Sequence, residues 1–243
     1  MIGKWPEALI RRLDLIGAAL LFCAGAIVAG CASVPIRHEP AVPATAGTEP
    51  AAGAGAESVE SYMATIKANS ARSDRETDGG VRAELADRSM SAADACLAKD
   101  SSSAACQYGK AIATGLEARA HPTRAVSLLG NMLQSLKAAD ALDPDYDNAG
   151  PSRVQALVLI RSPGWPLGPG DPDAGLAAAR RAVSLRPDYP PNVIALAEAL
   201  AKSGDEAAAR DTYRKARDLA LAAPAGAERE EWLHDANEGL QRK

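Results

Sequence analysis

A segment near the C-terminus of the chain repeats itself at a fixed step. Four of its residues recur 34 positions later: Gly170, Asp171, Ala182 and Leu185 return as Gly204, Asp205, Ala216 and Leu219. A period of about 34 residues is that of two helices joined by a turn. One such unit cannot bury its apolar face alone, so neighbouring units must stack. The repeat therefore predicts an all-α fold built from stacked helix pairs.

The second copy of the repeat also has the side-chain sizes of the tetratricopeptide pattern. It reads Ala209-x3-Tyr213-x2-Ala216, which places small residues where paired helices approach closest and an aromatic ring between them. We therefore expect a tetratricopeptide-like solenoid of helical hairpins over residues 57–223. A C-terminal capping helix is expected within 224–243, because the last unit of a solenoid must be shielded from solvent.

A proline-rich segment interrupts this repeat. The Pro-Asp-Tyr sequence of residues 144–146 returns at 187–189, 43 residues later and nine more than the repeat period. The extra residues fall at 161–170, where an ordinary repeat has a short turn, and they carry Trp165 between prolines. Long loops inside compact domains are uncommon and are often functional. Trp165 therefore either contacts a ligand or partner, or folds back to cover the apolar end of the preceding helix.

The N-terminus has the layout of a secretory signal, with a basic start followed by an uncharged apolar run at 15–29. The run ends in a Val-Ala-Gly-Cys motif at 28–31, which resembles the lipobox of bacterial lipoproteins. The resemblance implies that a signal peptide, residues 1–30, is removed and that Cys31 is acylated. Several acyl chains on one residue make a stable membrane anchor. The alternative is an uncleaved signal anchor.

The segment that follows is expected to be a tether. Residues 31–56 are rich in Pro, Ala, Gly, Thr and Glu, with hardly any large apolar side chain. Such a composition cannot bury enough apolar surface to fold, so we expect the lipidated Cys31 to be joined to the helical domain by a flexible linker. Ala32 rather than Asp follows the cysteine, which in lipoproteins implies the outer membrane rather than the inner. We therefore expect a lipid-anchored protein of the cell envelope that faces the periplasm.

The composition gives little support for catalysis or for nucleic-acid binding. The three histidines fall in the linker, in a loop and in the capping helix, so no nucleophile–base pair is apparent. There is no metal-ligand spacing and no nucleotide-binding motif. A net charge of −4 and 4% aromatic residues provide neither a basic patch nor a stacking platform for nucleic acid. We therefore expect a binding or structural protein, not an enzyme, with no cofactor and no metal.

Four segments in the second half of the chain carry distinctive motifs. They are Gly150-Pro151-x-Arg153, Ser162-Pro163-Gly164-Trp165-Pro166-Leu167-Gly168, Pro187-Asp188-Tyr189-Pro190-Pro191-Asn192 and Ala197-Glu198-Ala199-Leu200. Together they resemble the T-component family of tripartite ATP-independent periplasmic (TRAP) transporters, over about residues 58–223. The resemblance implies a lipid-anchored, tetratricopeptide-like helical protein. It also implies association with the periplasmic solute-binding protein of an organic-acid transporter, and self-assembly into a homo-oligomer around a channel.

Candidate binding residues lie on the first helices of the hairpins, which line the concave surface of such a stack. They are Gln107, Tyr108, Lys110, Arg153, Asn192 and Glu198, with Trp165 at the rim. The first hypothesis is that this surface docks a periplasmic protein, such as a solute-binding protein. The second is an envelope scaffold that assembles with itself or within a complex and has no solute role. A third is direct binding of a small carboxylate by Arg153 and Lys110.

The number of cysteines predicts a disulfide bond. Cys23 leaves with the signal and Cys31 is acylated, so two thiols, Cys96 and Cys106, remain. An even remainder in an oxidising compartment indicates a bridge. It would tie the end of one helix to the start of the next and contribute roughly 2–3 kcal/mol. The alternative is that both are small buried core residues.

Mass spectrometry of the alkylated protein tests the disulfide. In denaturant, which exposes buried thiols, we expect Cys96 and Cys106 to resist alkylation until a reductant is added, and both to react afterwards. Two thiols that are freely alkylated without reductant would contradict the prediction.

Overall fold

The computed structural model describes residues 57–242, which form nine α-helices. They are α1 (Val59–Arg75), α2 (Gly79–Lys99), α3 (Ala104–Ala120), α4 (Ala125–Leu142), α5 (Tyr146–Arg161), α6 (Pro172–Leu185), α7 (Pro190–Lys202), α8 (Glu206–Ala222) and α9 (Ala227–Gln241). A short 3₁₀ turn, Pro122–Arg124, precedes α4. Within the described range there is no strand, only an isolated bridge between Gly164 and Gly170. The prediction of an all-α fold is confirmed.

The predictions made for the N-terminal part of the chain lie outside the described residues. These are the signal peptide at 1–30, the acylated Cys31 and the linker that runs to residue 56. In the part of the chain that the structure describes, no helix combines the length and the apolar character needed to cross a bilayer.

The nine helices pack in two layers. Each helix packs against the next one along the chain, and α1, α3, α5, α7 and α9 also pack in that order against one another. These odd-numbered helices therefore form an inner layer, and α2, α4, α6 and α8 lie outside it. One apolar core runs from α1 to α7, and a smaller cluster joins α7 to α8 and α9.

Most of these helices begin at a residue that favours a helix N-terminus, either an N-cap side chain or a proline. Five are capped by a side-chain oxygen that accepts a hydrogen bond from a backbone N–H of the first turn, namely that of Ser58, Asp78, Ser103, Asp171 or Asp205. Such caps satisfy donors that the helix itself leaves without an acceptor. The first residue of α6 and of α7 is proline, whose missing N–H costs nothing at that position. The start points of these six helices are therefore encoded locally.

The first helix extends further than its sequence predicts. Residues 73–80 are polar and indicate a turn, yet α1 continues to Arg75. Ser73 is buried, and Asp74 accepts a hydrogen bond of 2.7 Å from Arg119 of α3. Both partners of this ion pair are largely shielded from solvent. A tertiary contact, rather than local helix propensity, therefore stabilises the last turn of α1.

The two cysteines of the described range lie at disulfide distance. Cys96 near the end of α2 and Cys106 near the start of α3 have sulfurs 1.99 Å apart and Cα atoms 5.4 Å apart. Both residues are fully buried. The disulfide links α2 to α3 across the short turn between them, as the sequence predicts.

The contact between α8 and α9 depends on a glycine. Tyr213 of α8 is buried, and its ring lies so close to Gly239 of α9 that a Cβ atom at Gly239 would collide with it. Gly130 in the middle of α4 is the opposite case, because a Cβ there would meet nothing within 4 Å.

These two glycines make a matched pair of substitutions. Gly239→Ala is expected to lower the free energy of unfolding by about 1–3 kcal/mol, because α9 must move away from Tyr213. Gly130→Ala is expected to raise it by roughly 0.5–1 kcal/mol, because glycine inside a helix costs backbone entropy. Urea denaturation followed by circular dichroism measures both changes. Equal stability of the two variants would contradict the close contact at Gly239.

Candidate functional site

The inner layer is interrupted by an unusual turn at the start of α5. Asp147, Asn148 and Ala149 have φ angles of 50°, 55° and 61°, so three consecutive residues other than glycine adopt the left-handed conformation. This conformation costs roughly 1–2 kcal/mol per residue for L-amino acids, although Asp and Asn tolerate it best. Such a turn persists only where the surrounding structure holds it. Regular helix begins directly after it, with Pro151 in its first turn.

A buried guanidinium group holds this turn. Arg153 of α5 is 2% exposed. Its Nη1 donates to the carbonyl oxygens of Asp147 and Asn148, at 3.2 and 3.1 Å, and to Oδ1 of Asn192 at 3.0 Å. Its Nη2 donates to Oδ2 of Asp147 at 3.0 Å, which also makes an ion pair. The face of Tyr189 covers the group, with the ring centre 5.2 Å from the guanidinium carbon.

Tyr108 and Asn192 extend this cluster to neighbouring helices. The hydroxyl of Tyr108, on α3, donates to Oδ2 of Asp147 at 2.9 Å. Burial, and then the negative charge of Asp147, raise the pKa of Tyr108, so the hydroxyl keeps its proton and acts as a donor. The side-chain amide of Asn192, on α7, donates to the carbonyls of Asn148 and Ala182, at 3.0 and 3.1 Å. The cluster therefore joins α3, α5, α6 and α7.

The structure gives these residues a role that the sequence does not predict. Tyr108, Arg153 and Asn192 are all buried, and they hold the inner layer together. They present no surface to a partner, which corrects their expected place on a concave binding face. The two cations of the expected carboxylate site also have partners within the chain, because Arg153 is buried in this cluster and Nζ of Lys110 lies 2.6 Å from Oδ1 of Asp94 on α2.

Of the other predicted binding residues, Gln107 and Glu198 also have partners within the chain. The side chain of Gln107 donates to the carbonyl oxygen of Ser101 at 3.4 Å, close to the start of α3. Glu198 of α7 accepts two hydrogen bonds of 2.6 Å from Nη2 of Arg161 and one of 3.0 Å from its Nε. Such a two-pronged pair is among the stronger ionic contacts in proteins.

The proline-rich loop between α5 and α6 is closed on itself by backbone hydrogen bonds. The N–H of Gly170 donates to the carbonyl oxygen of Pro163 at 2.8 Å. The N–H groups of Leu167 and Gly168 donate to the carbonyl oxygen of Gly164, at 3.0 and 3.2 Å. A Cβ atom at Gly168 would lie 2.6 Å from the same Pro163 oxygen, so this close approach requires glycine. The loop therefore has an ordered backbone.

Trp165 points away from the protein at the tip of this loop. Its side chain is 90% exposed, and that of Leu167 is 66% exposed. The alternative in which Trp165 folds back onto the end of α5 is therefore wrong. That end is already covered, because Ile160 is buried and packs against Gly175 of α6, where a Cβ atom would lie 2.5 Å from its Cγ2.

A polar cavity of about 420 Å³ lies at the C-terminal end of the stack, between α5, α7, α8 and α9. It is lined by Ile160, Arg161, Glu198, Ala201, Lys202, Tyr213, Asp235, Glu238 and Arg242. Of these, only Glu198 is among the binding residues that the sequence predicts, and Tyr213 is expected only as a packing residue. The lining residues come from four helices and from Arg242 just after α9, so only a prediction of the packing of α9 against α7 could have brought them together. In the described range, no three His, Cys, Asp or Glu side chains are placed to hold a metal ion.

The structural role of Arg153 can be tested by comparing the stability loss on its substitution with the loss on substitution of a half-exposed arginine, Arg186. Arg153→Met is expected to lower the free energy of unfolding by about 3–5 kcal/mol, because it leaves the carboxylate of Asp147 buried without its ion-pair partner. Arg186→Met removes a half-exposed ion pair with Asp145 and is expected to cost less than about 1 kcal/mol. Urea denaturation measures both. Similar losses in the two variants would contradict the role given to Arg153.

No protein-family model matches this chain, and no curated protein matches it either. The geometry of the Trp165 loop and of the polar cavity is therefore the main guide to function.

Proposed function

We propose that this protein is a lipid-anchored binding protein of the periplasm that holds a partner protein on a helical-repeat scaffold. In this proposal the hairpins of α1 to α8 are tetratricopeptide-like units, α9 caps the stack, and acylated Cys31 anchors the chain at the outer membrane. The partner is a periplasmic solute-binding protein. The protein thus serves as an accessory component of a solute transport system, as its resemblance to the T-component family implies.

The observation that carries this proposal is the exposure of Trp165. Tryptophan is usually well buried, so a ring that is 90% exposed calls for an explanation. Tryptophan is also among the residues most enriched at the energetic centres of protein interfaces. Leu167 adds a second exposed apolar side chain on the same loop. Because the loop backbone is already ordered by its own hydrogen bonds, docking requires little further loss of conformational entropy.

The repeat supports the scaffold part of the proposal. Asp171 and Asp205, which are equivalent in the two copies, are the N-caps of α6 and α8 and accept from the equivalent amides of Ala174 and Ala208. The period seen in the sequence is thus also the period of the helix starts. Stacked repeats of this kind provide extended surfaces on which partner proteins bind.

Co-purification with a Trp165 variant tests the docking function. The full chain is purified from envelope extracts in mild detergent, and the proteins bound to it are identified by mass spectrometry. We expect a periplasmic solute-binding protein with the wild type and its loss with Trp165→Ala, whose affinity should fall roughly 30-fold or more. The melting temperature should not change, because an exposed ring contributes little to folding. Leu221→Ala is the matched control, since Leu221 is a half-exposed apolar residue on α8.

The other outcomes separate the two functions weighed from the sequence. If no solute-binding protein co-purifies, the transport role fails. Recovery of only structural envelope proteins, or of further copies of the chain, would support an envelope scaffold without a solute role. Equal recovery of a solute-binding protein with Trp165→Ala would mean that the loop is not the docking site.

A further inference from the structure

The polar cavity between α5, α7, α8 and α9 has hydrogen-bonding capacity that the described part of the chain does not use. Tyr213 lines the cavity and is 3% exposed, yet its hydroxyl makes no hydrogen bond with any residue from 57 to 242. Lys202 at the rim likewise has no ion pair within that range. Nη1 of Arg161, which also lines the cavity, is buried and has no hydrogen-bond partner in this range. Buried polar groups in proteins are nearly always hydrogen-bonded, so this exception needs an explanation. The three unused groups are all donors, which calls for a ligand with an acceptor.

The charges around the cavity are balanced in sign. Among the described residues, three carboxylates and three cations line it: Glu198, Asp235 and Glu238, and Arg161, Lys202 and Arg242. Arg161 pairs with Glu198 at 2.6 Å, and Arg242 pairs with Glu238 at 3.0 Å. An apolar ligand would remove water from these charges without replacing its hydrogen bonds. A ligand with charge of one sign would meet as many like charges as opposite ones.

We propose that this cavity binds a small zwitterion of the amino-acid class, whose carboxylate accepts hydrogen bonds from the Tyr213 hydroxyl and the Lys202 ammonium group. The ammonium group of the ligand lies against the carboxylates of Asp235 and Glu238. A carboxylate offers about four acceptor positions, so it can receive this group in addition to its existing partners. The volume of about 420 Å³ lies within the range of small-molecule sites.

The protonation state of Tyr213 is suited to this role. Burial raises the pKa of Tyr213, and the nearby charge of Glu198 raises it further. A raised pKa favours the protonated form, so the hydroxyl remains a donor throughout the physiological pH range. It can therefore donate to a carboxylate without itself becoming an anion.

The cavity site is independent of the docking loop. Of the cavity residues, Arg161 is the nearest to Trp165 along the chain, and neither Trp165 nor Leu167 lines the cavity. Loss of partner docking in Trp165→Ala therefore leaves ligand binding intact, and loss of ligand binding leaves docking intact.

Isothermal titration calorimetry of the full chain in mild detergent tests the site. The probes are L-amino acids with small, polar, acidic and basic side chains, together with succinate and putrescine, which carry charge of one sign only. We expect at least one amino acid to bind, and neither succinate nor putrescine. Tyr213→Phe and Lys202→Gln should each weaken binding about tenfold or more, because each removes a hydrogen bond to a charged group. Tyr62→Phe on α1 and Lys215→Gln on α8, both outside the cavity, should leave binding unchanged.

Three results would overturn the proposal. They are the absence of binding by any amino acid, preferential binding of succinate or putrescine, and amino-acid binding that survives both Tyr213→Phe and Lys202→Gln. Misfolding does not complicate the Tyr213→Phe result. The phenylalanine ring keeps the contact with Gly239, and the lost hydroxyl makes no hydrogen bond within residues 57–242, so the variant should unfold at the wild-type temperature.

Discussion

The buried guanidinium of Arg153 is the contact on which the arrangement of the inner helices depends. It binds two carbonyl oxygens of the left-handed turn at the start of α5, the carboxylate of Asp147 and the side chain of Asn192 on α7. Tyr108 of α3 bonds to the same carboxylate. Apolar contacts alone allow helices to slide, whereas hydrogen bonds have fixed geometry. The cluster therefore sets the register of α3, α5 and α7 in a way that the alanine-rich core around it does not.

Because the polar Arg153 cluster is buried, binding surfaces must lie elsewhere on the protein. The middle of the inner layer is filled by the Arg153 cluster, whose side chains are buried and therefore out of reach of a partner. The Trp165 loop and the cavity at the end of the stack are accessible. The first is apolar and convex and suits a protein partner. The second is concave and lined with charges, and it suits a small polar ligand. The two proposals of function thus concern different parts of the same scaffold.

The sequence predicts a feature well when residues close together in the chain determine it, and poorly when contacts between distant helices determine it. The caps and the proline positions act within a few residues, and the repeat is visible along the chain itself. Together they predict the all-α fold that is observed. The Cys96–Cys106 contact was predictable because the two residues flank one turn. The sequence did not predict the buried roles of Tyr108, Arg153 and Asn192, because polar residues at these positions suggest a binding surface. An inner helix that is covered on several sides buries its polar residues as well.

By itself, the sequence determined that this chain folds into helical hairpins and that a loop carrying Trp165 interrupts their repeat. These properties follow from local backbone preferences and from a period that is visible in the chain. Only the tertiary structure decided that Arg153 faces inward, that Trp165 faces outward and that Tyr213 lies beside a charged cavity. Each of these depends on how helices far apart in sequence pack against one another. Burial and charge environment are properties of that packing and not of any one segment.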